Sequence, residues 1–490
     1  MRDVLHALAR HAAARPDTVA FADDRTTLDW RSLAGHVAGA AMQAVTLPPV
    51  IGLLAGNSID WVVADLGIAA AGRTLVPLPP MFADGQLAYI VASVGIGCIV
   101  ADAANMARAG RFGVAVVPMF AGEGAALPDR AGEARRIIYT SGSTGTPKGV
   151  RLGDRQIGTM AAALAAAIGA DAPDRYLSLL PLSLLLEELC AIHVPVLVGG
   201  HCTIASGIPD ALAAGRHDVV AATVERVQPS VTVLVPDMLR AWVGALGATG
   251  TQAPASLRFV AVGGTPVPEP VAEAAWSLGI PVHEGYGLSE CGSVVALNRA
   301  GARAGGTVGT PLDGVGVAIE AGEIVVRGPS VMDGYVGGED VGRVWKTGDL
   351  GHFDTAGRLV VDGRRDNLLV TANGRNVQAE WVETALSGDP RIARAFIVGH
   401  GAPALTAIVV PVPSFAPAFA DPAVALAIVR AACADLPAYA IPASVIVTDM
   451  AALAAAGLLT PSGRPRRMAL AAKYATASTP LPSRQEALAR

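Results

Sequence analysis

Short β-branched runs alternate with alanine-rich helical segments from the N-terminus to about Gly305. Residues 50–54 and 231–235 are two of the runs, and residues 61–71 and 160–168 are two of the helical segments. Strands that alternate with helices favour parallel sheets with helices packed on both faces. We therefore expect an α/β fold whose parallel-sheet subdomains lie before that glycine.

The pattern changes twice in the remainder of the chain. Residues 322–328 are typical of short strands joined by glycine-rich turns, and they predict a small β-barrel. Further on, strand-like runs such as residues 395–398 and helix-like runs suit a small α+β domain of about 120 residues, an ordinary domain size. We expect a large N-terminal domain over residues 1–364 and a small C-terminal domain over residues 365–490.

Composition and charge argue against several classes of protein. A formal net charge of −5 argues against a general nucleic-acid binder, which would carry a basic face. The apolar stretch of residues 177–200 contains two glutamates, a histidine and prolines, so we expect no membrane span, and the N-terminus lacks the pattern of a secretory signal. The cysteines are scattered without a CxxC pair, which fits a reducing cytoplasm and no zinc site: Cys98, Cys190, Cys202, Cys291 and Cys433.

Residues 139–150 hold five Ser/Thr hydroxyls, three glycines and one lysine, directly after an apolar pair. Glycine lets backbone N–H groups approach an anion, and hydroxyls and an ammonium add donors, so the pattern predicts a polyphosphate ligand. The spacing is not that of a Walker A loop. Because lysine is scarce in this chain, a lysine in this run is less expected of a flexible Ser/Thr/Gly linker than of a binding loop. The candidate ligands are Thr140, Ser141, Gly142, Ser143, Thr144, Gly145 and Lys148.

This run resembles the phosphate-binding loop of the AMP-forming adenylating superfamily. That superfamily includes acyl- and aryl-CoA synthetases, peptide-synthetase adenylation domains and luciferases. Further motifs similar to those of the family follow in the same order along nearly the whole chain. The resemblance implies a large nucleotide-binding domain, a small mobile domain, and ATP, Mg²⁺ and CoA as cofactors and co-substrates.

Two glycine-rich segments resemble the adenine-binding region of the family. Gly264 and Thr265 follow the apolar run 259–262, although glycines after a strand are common and are a weak signal alone. Residues 283–290 are similar to the family motif Tyr-Gly-x-Thr-Glu. The resemblance places Tyr286 and Gly287 near adenine, Ser289 at the α-phosphate and Glu290 as the Mg²⁺ ligand, a role that suits a carboxylate oxygen.

Three later motifs complete the series. Residues 345–350 resemble the ribose-binding motif, where Asp349 would accept hydrogen bonds from both ribose hydroxyls. In the hinge-like motif 363–366, Arg364 would contact the nucleotide, and the small domain would pivot at Asp366. The loop that carries Gly374 resembles the one that enters the site for thioester formation.

Two positions depart from the family pattern. Leu184 stands where the long-chain acyl-CoA synthetases usually carry histidine in the substrate-gate motif, and its leucine-rich surroundings suit core packing equally well. Arg464 stands where the family carries a lysine that reaches the α-phosphate and the substrate carboxylate. Arginine keeps the charge but replaces a compact ammonium with a wide planar fork.

The resemblance implies activation of a carboxylic acid by ATP to acyl-AMP, followed by transfer to a thiol. Lys148, Glu290 and Arg464 are the candidate catalytic residues. The gate segment favours a fatty-acid–CoA ligase. Transfer to the phosphopantetheine of a carrier protein or to an amine stays open, as does a degenerate nucleotide-binding protein without activity, which Leu184 and Arg464 would suit.

Overall fold

The computed structural model describes residues 1–126, 133–140, 147–214, 216–460, 463 and 465–474. Its strands up to residue 311 are β1 (Val19–Ala22), β2 (Thr27–Asp29), β3 (Val50–Leu54), β4 (Thr74–Pro77), β5 (Cys98–Ala101), β6 (Ala115–Pro118), β7 (Arg135–Thr140), β8 (Lys148–Gly153), β9 (Arg175–Ser178), β10 (His201–Ile204), β11 (Val231–Leu234), β12 (Phe259–Val262), β13 (Val282–Tyr286), β14 (Ala296–Leu297) and β15 (Thr310–Pro311). The helices of the same region are α1 (Arg2–Ala14), α2 (Trp30–Val45), α3 (Ile59–Ala70), α4 (Asp84–Ser93), α5 (Met106–Ala109), α6 (Asp154–Ile168), α7 (Leu185–Glu188), α8 (Val194–Val198), α9 (Ile208–Ala213), α10 (Val219–Val227), α11 (Pro236–Thr249) and α12 (Glu269–Ser277).

The later part of the chain is richer in short strands. These are β16 (Gly316–Glu320), β17 (Glu323–Arg327), β18 (Gly334–Tyr335), β19 (Val344–Phe353), β20 (Leu359–Arg364), β21 (Leu368–Val370), β22 (Asn376–Gln378), β23 (Ile392–Val398), β24 (Thr406–Pro411) and β25 (Ser444–Val447). The helices are α13 (Ala379–Ser387), α14 (Pro422–Ala432), α15 (Met450–Ala455) and α16 (Arg467–Tyr474).

Two large sheets form the body of the protein. One has the strand order β15-β14-β13-β12-β11-β9-β10-β1-β2, and the other has the order β18-β8-β7-β4-β3-β5-β6. The central neighbours pair in parallel, while antiparallel strands extend the edges. The α/β fold with parallel sheets, expected from the alternation of strands and helices, is confirmed.

The β-rich region expected after about Gly305 is present, but the expected barrel is not formed by the described strands. They make an open antiparallel sheet of order β16-β17-β19-β20. Its two edge strands do not pair with each other, and four strands are too few to close around a packed interior. The C-terminal part adds the two-stranded β21-β22 sheet and the three-stranded β23-β24-β25 sheet.

Buried side chains form separate clusters on either side of the proposed boundary between residues 364 and 365. The large cluster extends from the N-terminus to Leu359, and the next begins at Val377 and belongs to β22–β24 and the helices around them. Separate cores are what independent domains require, so these clusters support the proposed division.

Among the described residues, no single helix is both long enough and apolar enough to cross a bilayer. The segment 413–419 and α14 together have the length and composition of a span, but they are bent by 114° relative to each other.

A group of fully buried ionisable side chains joins β7 to α3 and α7. Arg136 on β7 donates hydrogen bonds from Nη2 to Asp65 on α3 and from Nε to Glu188 on α7. His193 places Nε2 3.1 Å from Asp65 Oδ2. Burial alone would raise the pKa of Asp65, but the positive charge of Arg136 opposes burial and the net effect is a lowered pKa. Burial lowers the pKa of His193 to about 4. Asp65 is therefore the carboxylate that balances Arg136.

We predict that Arg136→Leu lowers the free energy of unfolding by about 3–5 kcal/mol, because it leaves a buried carboxylate without its partner. Urea unfolding followed by tryptophan fluorescence measures this, since Trp30 and Trp61 are buried in the same core. Arg31→Leu is the control, because Arg31 pairs with Asp17 at 3.2 Å on the surface with side chains 68% and 80% exposed. Equal unfolding midpoints for the two variants would contradict a structural role for Arg136.

Candidate active site

The β7–β8 hairpin fixes both ends of the candidate phosphate loop. Thr140 at the end of β7 lies opposite Lys148 at the start of β8. A Cβ on the next residue, Gly149, would lie 2.7 Å from Val336 Cγ2 and 2.8 Å from Tyr139 Cζ, so only glycine allows these neighbours to approach. The connecting candidates lie outside the described residues: Ser141, Gly142, Ser143, Thr144 and Gly145.

Tyr335 joins two candidate catalytic residues that are far apart in the sequence. The ammonium of Lys148 lies 5.5 Å from the centroid of the Tyr335 ring, and the Tyr335 hydroxyl donates a 2.7 Å hydrogen bond to Glu290 Oε1. Sequence reasoning missed this tyrosine. Its signals were weak: aromatic residues are only 4% of the chain, and Tyr335 lies between the motifs of Glu290 and Asp349.

Glu290 lies in a short 3₁₀ turn, Ser289–Cys291, and its backbone carbonyl accepts a 2.8 Å hydrogen bond from the Met332 N–H. The Tyr335 hydroxyl donates to Oε1 of Glu290, and among the described residues no group donates to Oε2. Mg²⁺ in nucleotide sites typically takes one or two protein carboxylates, with phosphate and water oxygens as the remaining ligands. A half-buried carboxylate with one oxygen available fits that donor set.

Asp349 is the centre of a second group. Strands β19 and β20 place Asp349 opposite Arg364, whose Nε lies 3.4 Å from Asp349 Oδ1. The hydroxyl of Tyr286 donates to Asp349 Oδ2. Burial raises the pKa of Asp349, and the hydrogen bond from Tyr286 and the positive charge of Arg364 oppose this shift. The structure thus brings together three residues that the sequence assigned to adenine, ribose and nucleotide contacts.

The glycine-rich candidates lie at the carboxyl ends of parallel strands, where open α/β sheets commonly bind ligands. Gly264 follows β12 with a φ of +95° and open space where a Cβ would lie, and Thr265 next to it is exposed. A Cβ on Gly287, after the neighbouring β13, would lie only 1.7 Å from Ser293 O. Ser289, a short distance further along, is partly exposed. This edge leaves backbone accessible to a flat ligand.

Among the described residues, Gly374 makes no contact with these two groups. Gly374 lies in the turn between β21 and β22, where its N–H donates to Thr371 O at 2.9 Å and nothing lies within 4 Å of a Cβ placed on it. Arg464 lies outside the described residues. The nearby Arg467 is described and donates to Glu383 at 2.7 Å.

The gate segment contains both exposed and deeply buried side chains. Leu184 is 40% exposed, whereas Leu182 and Leu185 are buried, so core packing accounts for its neighbours but not for Leu184 itself. Glu187 is fully buried and accepts a 3.1 Å hydrogen bond from the Tyr176 hydroxyl. Burial raises the pKa of Glu187 to about 8, which keeps this carboxyl protonated at neutral pH. The sequence showed it only as a polar interruption of an apolar stretch.

One further cluster has the residue types of a metal centre. Ligand atoms of Asp65, Glu188 and His193 lie within 4.8 Å of one another. Arg136 already donates to both carboxylates, and its guanidinium supplies the positive charge that a metal ion would bring. The cluster is therefore a buried ionic group and not a metal site.

Sequence models of known families match most of the chain. The model of the AMP-binding enzyme family matches residues 8–336, and that of the AMP-binding enzyme C-terminal domain matches residues 366–477. A 2-succinylbenzoate–CoA ligase from Bacillus velezensis is 32% identical over 290 residues, which are 54% of this chain and 56% of that ligase. The chain thus aligns with little more than half the length of this curated relative.

Two solved structures share the fold. An o-succinylbenzoate CoA synthetase from Bacillus subtilis, in complex with its acyl-adenylate intermediate, superposes with a TM-score of 0.77 at 24% identity over 95% of this chain and 97% of that one. An anthranilate CoA ligase in complex with anthranoyl-AMP gives a TM-score of 0.81 at 20% identity over 97% and 98%. At these identities the likeness establishes the common architecture.

We predict that Asp349→Asn weakens AMP binding about tenfold, the size expected when a hydrogen bond to a charged group is lost. The amide can still accept from Tyr286, but the substitution removes the negative charge that faces Arg364. Calorimetric titration with AMP measures the change. Asp362→Asn on β20 is the control, because that carboxylate lies 3.1 Å from His352 Nδ1 in an exposed pair. Unchanged AMP affinity in Asp349→Asn would remove this carboxylate from the site.

Proposed function

The chain belongs to the AMP-binding enzyme family, and from that membership we propose that it activates a carboxylic acid with ATP and transfers the acyl group to CoA. The observation that carries the proposal is the pairing of two groups of residues. Tyr335 links Lys148 with Glu290, while Asp349 contacts Tyr286 and Arg364. The first group suits the phosphates of a nucleotide, and the second suits its ribose.

In the first half-reaction, a carboxylate oxygen of the acid attacks the α-phosphorus of ATP. The bond from that phosphorus to the bridging oxygen breaks, and pyrophosphate leaves with the electron pair. The protein forms no covalent bond, so catalysis consists of positioning and charge stabilisation. Lys148 would hold the phosphates from the base of its loop, and Glu290 would hold Mg²⁺, which neutralises phosphate charge when bound.

The remaining candidate residues orient the nucleotide. Asp349 and Arg364 would bind the ribose side, with Tyr286, Gly287, Gly264 and Thr265 beside adenine. Ser289, Thr140 and the loop residues 141–145 would donate to phosphate oxygens. Arg464 would neutralise the α-phosphate during adenylation, in place of the family lysine.

In the second half-reaction, the thiolate of CoA attacks the acyl carbon and AMP leaves with the electrons of the acyl–oxygen bond. One difficult acylation is thereby divided into two easier displacements. We propose that the small domain, over residues 365–490, turns about Asp366 and brings the Gly374 loop to the site for this step. The open space around Gly374 supports a surface at which another group can pack.

The acid is proposed to be aromatic. The curated relative is named for 2-succinylbenzoate, and the solved structures for o-succinylbenzoate and anthranilate, all of which are aryl carboxylates. The fatty-acid preference drawn from the gate segment finds no support among these relatives. Leu184, exposed beside the buried leucines, is an apolar surface that can contact a flat ring as well as an alkyl chain.

Pyrophosphate exchange with a panel of acids tests the proposal. We expect exchange with 2-succinylbenzoate, benzoate or anthranilate to exceed that with fatty acids, and Lys148→Ala to lower it by a factor of about 10²–10³, as for loss of one preorganised donor. Mass spectrometry of products formed with CoA, a holo-carrier protein or an amine then identifies the acceptor. A wild-type protein that binds ATP but exchanges with no acid would instead be a degenerate nucleotide-binding protein.

We predict that Gly374→Leu slows thioester formation while acyl-AMP formation stays nearly unchanged, because the side chain would occupy the path of the thiol. Rapid quench of each half-reaction measures the two rates. Gly457→Leu is the matched control, since Gly457 has a φ of +68°, close to the +71° of Gly374, and equally open surroundings. Equal effects of the two variants would assign the change to backbone strain, and a parallel loss of both half-reactions would contradict the role of the Gly374 loop.

A further inference from the structure

Tyr335 contacts three separate motifs at once. Its ring lies under the Lys148 ammonium, its hydroxyl bonds to Glu290, and Trp345 packs edge-on against it at 5.8 Å between ring centroids. Trp345 lies near the start of the strand that carries Asp349. Among the described residues, no other side chain has a hydrogen bond, ion pair or ring contact with both Lys148 and Glu290.

The position of Tyr335 is fixed by backbone pairing and not by side-chain packing alone. Strand β18 pairs antiparallel with β8, with Tyr335 opposite Val150, and the Val336 N–H donates to Gly149 O at 2.8 Å. The same segment bonds to the turn of Glu290 through Met332. The strand of Lys148 and the turn of Glu290 are therefore both tied to the Tyr335 segment by main-chain hydrogen bonds.

We infer that Tyr335 is a positioning residue that keeps Lys148 and Glu290 apart and aims each of them at its own part of the metal–polyphosphate. This inference deepens the proposed function and rests on it. An ammonium and a carboxylate close to the same ring attract each other, and a direct ion pair would use the charge of both. The ring attracts the ammonium over its face, and the hydroxyl holds one carboxylate oxygen, so neither needs the other as a partner.

The two contacts of Tyr335 can be removed separately. Tyr335→Phe keeps the ring under Lys148 but removes the donor to Glu290. Tyr335→Leu removes both. The hydrogen bond acts on the candidate metal ligand, whereas the ring acts on the candidate phosphate ligand. The two variants therefore differ in which ligand they are expected to lose.

Calorimetry of ligand binding tests the inference without reference to turnover. We expect Tyr335→Phe to raise the Mg²⁺ concentration needed for half-maximal tightening of ATP binding about tenfold, as for loss of a partner that orients a metal-binding carboxylate. Its affinity for pyrophosphate without Mg²⁺ should equal that of the wild type. Tyr335→Leu should show the same Mg²⁺ effect and a further loss of pyrophosphate affinity of about two- to fivefold, the strength of one exposed cation–π contact.

Tyr474→Phe and Tyr474→Leu are the matched controls. The Tyr474 ring lies 5.8 Å from the Lys473 ammonium, and both residues belong to α16 in the C-terminal part of the chain. Both controls should bind Mg²⁺, ATP and pyrophosphate as the wild type does. Thermal unfolding of all four variants shows whether the Tyr335 pair keeps the wild-type fold.

The inference is overturned if Tyr335→Phe leaves the Mg²⁺ dependence unchanged, or if both Tyr335 variants lose Mg²⁺ and pyrophosphate binding in equal proportion. Failure of the proposed function has a different signature. In that case the wild type binds ATP in a Mg²⁺-dependent way but shows no pyrophosphate exchange with any acid, while the difference between the two Tyr335 variants persists.

Discussion

The buried contact of Arg136 with Asp65 and Glu188 is the constraint on which the rest of the structure depends. It joins α3, β7 and α7, which come from separate parts of the chain, at a point from which water is excluded. A buried ion pair adds little net stability over an apolar core, but it accepts few alternative arrangements, since any displaced charge is left unpaired. Strand β7 then runs from Arg136 to Thr140, where the candidate phosphate loop begins. The position of Thr140, the last described residue before the candidate loop, is thus set by charge as well as by strand pairing.

The parallel sheets could be predicted because their signal is local and repeated: each β-branched run is followed by a helical one. Whether the β-rich region closes into a barrel could not be predicted. Closure requires the edge strands β16 and β20 to pair, and no residue in either strand indicates whether they do. Arg136 was equally hidden. In a chain with few lysines and many arginines, nothing in the sequence separates a buried guanidinium from a surface one.

The residues of the candidate site also fall into those that local sequence could predict and those that it could not. Lys148, Glu290, Asp349 and Arg364 lie in short motifs whose residue types already suit phosphate, metal and ribose, so sequence reasoning could name them. Tyr335 has no such motif chemistry. Its role follows from the pairing of β18 with β8, which joins segments far apart in the chain. Residues that bind ligand can be found from local chemistry, whereas residues that position them depend on tertiary contacts.

The two ends of the site differ in how their charges are arranged before a nucleotide arrives. At the end proposed for the phosphates, the Tyr335 ring contacts the Lys148 ammonium and the Tyr335 hydroxyl donates to Glu290. The ammonium is then available to phosphate, and the second oxygen of Glu290 is available to a metal ion. At the ribose end, Asp349 is already bonded to Tyr286 and faces Arg364. A carboxylate has about four lone-pair directions, so these partners leave room for ribose hydroxyls and fix the orientation in which they are accepted. A neutral hydroxyl gains most from a preoriented acceptor, and an anionic phosphate gains most from an available cation. Each end of the site thus matches the part of the nucleotide proposed for it.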